Sequence, residues 1–153
     1  MILPPLISYE TVLEYKNHYE KFYCRGKIYT FDNIRVFFKK TNFEHAFYES
    51  SSHDGKKDIF SRTRAERIDW IRMTIENPNA ELYKGWNKGS KHYDNSRRVC
   101  ILYENFVVVI AVNSQNPKTK LRSAGFITAY VADNSIDKIR NSPKWDSLEW
   151  IDR

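Results

Sequence analysis

Residues 125–131 read Gly-Phe-Ile-Thr-Ala-Tyr-Val, which sets Thr128 and Tyr130 two positions apart, so an extended strand turns both hydroxyls to one side. The same alternation groups Phe126 with them and leaves Ile127, Ala129 and Val131 to face a core. Hydroxyls of this kind donate hydrogen bonds to an oxyanion or a phosphate. A second candidate is His45, between Phe43 and Phe47 but out of phase with them on a short helix. General acid-base chemistry requires an imidazole pKa near neutrality, which a carboxylate one turn away would support. Glu49, four residues on, is either a carboxylate that orients the ring or half of an ordinary surface pair. The third candidate is Arg64. Helical periodicity over residues 61–76 gives an inward stripe of Arg64, Ile68, Ile71 and Ile75. A guanidinium on that stripe must open into a cleft or find a partner, because burying it unpaired is prohibitive. It is suited to bidentate phosphate binding, or else to an internal salt bridge with Asp58. Arg67 lies beside the stripe and is available to the same site, whereas Arg62 falls on the polar face opposite Glu66. His18, His53 and His92 sit in a scaffold helix or in polar loops and have weaker claims.

The charge pattern adds a binding surface to these candidates. The chain of 153 residues carries a net charge of +6, which favours a polyanionic partner. Lys84, Lys88, Lys91, Arg97 and Arg98 run with only Asp94 against them, and Lys118, Lys120 and Arg122 stand in a stretch without acid. These blocks are either solvated loops or the rim of an anion site. Arg97, Arg98, Lys120 and Arg122 are the substrate-binding candidates, with Arg67. No pair of histidines or acids has metal-ligand spacing, so neither a metal nor a cofactor is expected. Cys24 and Cys100 lie in apolar segments and read as core side chains of a reducing compartment. No apolar run approaches a bilayer span, and a cytoplasmic location without membrane partners is expected.

The positioning elements follow from local chemistry. Ser8 is placed to cap a first helix with apolar positions Val12, Tyr15, Tyr19 and Phe22. Residues 27–31 and 34–38 flank Asp32-Asn33 as a hairpin. Asn42 is placed to cap the short helix of His45, and a polar loop follows at residues 50–55. Ser61 caps the long helix, which Asn77-Pro78 stops. Two valine-rich runs around Glu104-Asn105 read as central strands covered on both faces, and the 125–131 strand completes a three-strand meander. Ser135 opens a last short helix, and Trp145 and Trp150 are expected to pack back on the body. One domain fits this length, with a core sufficient for independent folding.

The succession of Phe-x-His-Ala-Phe at residues 43–47, Arg-Ala-Glu-Arg-Ile at 64–68, a valine-rich hairpin and the closing 126–130 strand resembles the phage and toxin branch of the barnase, EndoU, colicin and RelE-like (BECR) nucleases. The resemblance spans about residues 27–145. It implies an α+β fold with N-terminal helices packed on a curved antiparallel β-sheet. It also implies metal-independent endoribonuclease activity on RNA, tRNA included, with an antitoxin or immunity protein as partner. His45, Arg64, Thr128 and Tyr130 are the positions that carry over as catalytic. The competing readings are a non-catalytic RNA-binding protein and a protein-interaction module on the same scaffold.

Overall fold

The computed structural model describes residues 3–50, 57–87, 92–93, 98–113, 116–119, 121–133 and 135–145. The first helix, α1 (Val12–Tyr19), begins at Thr11 rather than Ser8. The Thr11 hydroxyl accepts from the Glu14 N–H, and the Glu14 carboxylate accepts from the Thr11 N–H, forming a reciprocal cap. A π-helical turn (Glu20–Cys24) extends it, and the buried stripe is Tyr15, Tyr19 and Tyr23, leaving Val12 and Phe22 exposed. His18 is buried against this helix's neighbours, with Tyr9 Oη 2.9 Å from Nδ1 and Asp69 Oδ1 2.8 Å from Nε2. It ties the N-terminal segment to a later helix.

Strands β1 (Ile28–Tyr29) and β2 (Arg35–Phe37) form the expected hairpin, with Asn33 at φ 70° in its turn. Helix α2 (Phe43–Phe47) buries Phe43, Ala46 and Phe47. Short strands β3 (Tyr48–Glu49) and β4 (Ile59–Phe60) pair antiparallel and lead into α3 (Arg62–Ala65), where the Ser61 hydroxyl accepts from the Arg64 N–H. The helix expected over residues 61–76 is broken. Arg67, at φ −99° and ψ 20°, separates α3 from α4 (Ile68–Glu76), so Ile68, Ile71 and Ile75 stay in the core while Arg64 takes its own direction.

Strand β5 (Glu81–Lys84), two short paired strands, β6 (Trp86–Asn87) and β7 (His92–Tyr93), and the long strands β8 (Arg98–Tyr103), β9 (Phe106–Val112) and β10 (Ser123–Val131) precede α5 (Ile136–Arg140). The six-stranded sheet has the order β1-β2-β10-β9-β8-β5. The meander is as expected, but the sheet is mixed, because β2 runs parallel to the first half of β10. A parallel seam is open to β2 because a long crossover through the helices returns the chain in the same direction. The fold is therefore α+β with a mixed rather than an antiparallel sheet.

Strand β9 is apolar throughout because both its faces are covered. Phe106, Val108, Ile110 and Val112 meet the core shared with α1, α2 and α4, while Val107 and Val109 meet a smaller cluster with Tyr83, Leu102, Ile136 and Ile139. Trp145 is buried, donating its backbone N–H to Leu82 O, as the sequence suggested; Trp150 lies outside the described residues.

Strand β10 holds a β-bulge. Phe126 opposes Ile110 and Thr128 opposes Val109, so Ile127 is the additional residue. The bulge changes the side-chain parity. Ala124 and Phe126 face the main core before it, Ala129 and Val131 after it, and Thr128 and Tyr130 share the opposite face. Phe126 is thus not on the hydroxyl face as simple alternation suggested. Asn42 secures this irregularity. Its side chain makes no helix cap; instead Nδ2 donates to Phe126 O at 3.0 Å and Ile127 O at 2.8 Å. Asn42→Ala removes a donor from both carbonyls in a partly buried setting, and a loss of about 1–3 kcal/mol in urea unfolding is expected.

Candidate functional site

The parity change turns Thr128 and Tyr130 into a cavity of about 420 Å³, whose wall also includes His45, Lys84, Arg98, Cys100 and Lys138. Three of the four catalytic candidates therefore line one space. The fourth, Arg64, stands directly behind it. Its Nη1 donates to Thr128 Oγ1 and to Ala46 O, both at 3.3 Å, and its guanidinium carbon lies 5.8 Å from the centre of the Tyr130 ring. The break after α3 lets Arg64 leave the isoleucine stripe for β10.

The carboxylate relationships differ from those read in the sequence. Helix α2 ends at Phe47, so Glu49 is not on its surface one turn beyond His45. The β3–β4 pair carries Glu49 instead to Arg64, with Oε1 3.4 Å from Nε. Arg64 is accordingly paired with Glu49, a partner that helical spacing did not offer.

The cavity is cationic, and His45 registers it. Partial desolvation, followed by the charges of Lys57, Arg64 and Arg98, holds its pKa below the ordinary imidazole value. At neutral pH the ring is a free base. Tyr130 shifts the other way: burial raises its pKa, with Cys100 adding to the effect and Arg64 opposing it. Its hydroxyl keeps its proton through the neutral range. Cys100 is a cavity residue and not simply core, yet burial pushes its thiol up to about 11, which leaves little thiolate to act as a nucleophile.

The other cationic candidates separate cleanly. Arg98 lines the cavity as proposed. Arg67 does not; its Nη1 donates to Thr63 O at 2.7 Å and its guanidinium carbon lies 5.0 Å from the centre of the Trp70 ring. Arg122 precedes β10 at the end remote from the site, about 20 Å from Thr128 at roughly 3.3 Å per strand residue. Arg97 and Lys120 lie outside the described residues, as do His53, Lys88 and Lys91. Arg62 holds the N-terminal segment rather than Glu66, donating to Tyr9 O at 2.7 Å.

Sequence reasoning did not assign Lys138 to the site, and it saw Lys84 only as part of a basic block. Strand β5 sets Lys84 opposite Val99, and Gly85 after it lies against Arg98. A Cβ on Gly85 would stand 2.6 Å from Arg98 Cβ and 3.2 Å from the Arg98 backbone, and the Gly85 N–H donates to Arg98 O at 2.8 Å. Only glycine permits that approach. Among the described residues no group of three or more His, Cys, Asp or Glu could hold a metal ion, and no helix is long and apolar enough to cross a membrane. Comparisons with protein-family models, with curated proteins and with solved structures find no match to this chain.

Proposed function

We propose that this protein is a metal-independent endoribonuclease that cuts RNA by attack of the ribose 2′-hydroxyl on the adjoining phosphate. One observation carries the reading: a neutral imidazole, a protonated phenol and an arginine-bound threonine hydroxyl meet at one cationic cavity. These groups match the needs of the reaction. His45 takes the 2′-hydroxyl proton, the 2′-oxygen forms a bond to phosphorus, and the bond from phosphorus to the 5′-oxygen breaks. Tyr130 gives its proton to the departing oxygen and regains one from solvent. Thr128, Arg64, Arg98 and Lys84 stabilise the charge on the phosphorane oxygens. The products are a 2′,3′-cyclic phosphate and a 5′-hydroxyl end.

A binding-only reading has one specific observation in its favour, since Glu49 engages the Arg64 guanidinium that the reaction would require for phosphate. Incubation of the purified protein with total tRNA in EDTA separates the two. Cleavage with cyclic phosphate ends is expected; retarded but intact tRNA would leave a binding protein.

A further inference from the structure

The helix α5 covers only part of the outer face of the sheet. Ile136 and Ile139 pack over the rows of Val107 and Val109, and the cavity opens at the margin of that cover. Beyond the margin the register lays a row across four strands: Arg98 opposes Ala111, Ala111 opposes Gly125, and Gly125 opposes Phe37. Val36 and Ala124 are buried on the helical side, which fixes this row on the outer one. The floor is low, for a Cβ placed on Gly125 would meet nothing within 4 Å.

The row ends in an aromatic platform. Phe37 is 50% and Tyr29 43% exposed, and the Arg35 guanidinium carbon lies 4.7 Å from the centre of the first ring and 5.5 Å from that of the second. Arg35 Nε is buried without a hydrogen-bond partner. From Arg98 to Phe37 is three strand spacings, about 14 Å.

We infer that this open half of the sheet is a track for single-stranded RNA, on which bases flanking the phosphate in the cavity stack against Phe37 and Tyr29. The inference rests on the ribonuclease reading for what occupies the cavity. Exposed flat rings with an arginine against them suit base planes, which stack with little regard to sequence, and the positive ends of the row suit the backbone. An acidic protein would be met by the charges but would leave the ring faces without a partner.

The test uses a fully 2′-O-methylated RNA dodecamer, which cannot be cut, followed by fluorescence anisotropy, and a 2′-O-methylated dinucleotide followed by NMR shifts. Phe37→Ala and Arg35→Ala should each weaken dodecamer binding about five- to a hundredfold, the range for losing one stacked base. Phe37→Trp should restore it, dinucleotide binding should be unchanged, and Leu13→Ala, at a 63% exposed position on α1, should bind as the wild type does. The track is refuted if the wild type does not bind the dodecamer or if Phe37→Ala binds it with unchanged affinity. It is equally refuted if poly-glutamate displaces the RNA and itself binds less well to Phe37→Ala, which would make the face a protein-binding one. Because the dodecamer resists cleavage, a protein that leaves tRNA intact but loses dodecamer affinity on Phe37→Ala has the track without the reaction.

Discussion

Replacing His45 with alanine is expected to lower the rate of RNA cleavage about 10²- to 10⁴-fold, the usual contribution of a positioned acid or base. The pH profile of the wild type identifies which it is. Desolvation and the neighbouring cations depress the imidazole pKa, so the ring is unprotonated at neutral pH. For a base, kcat/KM is lost as pH falls through that depressed value, giving an acid limb below the ordinary histidine range. Bound phosphate offsets part of the cationic field, so the limb in kcat should lie at higher pH than the limb in kcat/KM. A limb that survives His45→Ala, or equal cutting by that variant, would remove His45 from the reaction.

The second large effect is expected at Arg64. Arg64→Ala removes the donor to Thr128 Oγ1 and a cation beside the cavity, and a fall in kcat of about 10²- to 10³-fold is expected, as for loss of an oxyanion donor. Arg64→Lys should recover substrate affinity better than rate, because an ammonium keeps the charge but cannot bond Glu49, Ala46 O and Thr128 in one plane. A purely structural role would lower the melting temperature and leave kcat of the folded protein unchanged. Under either role the acid limb of kcat/KM moves upward in Arg64→Ala, since one of the charges that disfavour imidazolium has gone. Single-turnover kinetics across pH, with circular dichroism to confirm folding, measure both.

The catalytic candidates were legible because each depends on a short-range pattern. Residues two apart on a strand share a face on either side of a bulge, so the pairing of Thr128 with Tyr130 survived the irregularity at Ile127. Phe126 lies across that irregularity, and its assignment reversed. No local signal marks the bulge, since its support comes from Asn42, 84 positions earlier in the chain. Arg64 was visible as a cation on an apolar stripe even though the helix breaks at Arg67. Its partner was not visible, because Glu49 reaches it through a strand pairing, not through helical spacing. Arg122 shows the converse case. Adjacency to β10 in sequence put it near the cavity, whereas the length of that strand sets it apart from Thr128. Lys84 and Lys138 required the tertiary approach of β5 and α5 to β10.

The chain order of the cavity has a consequence for synthesis. Arg64 and Thr128 are 64 positions apart, and the strand that bears Thr128 and Tyr130 is the last of the sheet. A ribosome-bound intermediate ending before residue 128 holds the imidazole and the guanidinium but no floor for them to act upon. Under the ribonuclease function proposed above, the translating machinery, itself built of RNA, meets no complete centre until β10 has emerged and docked.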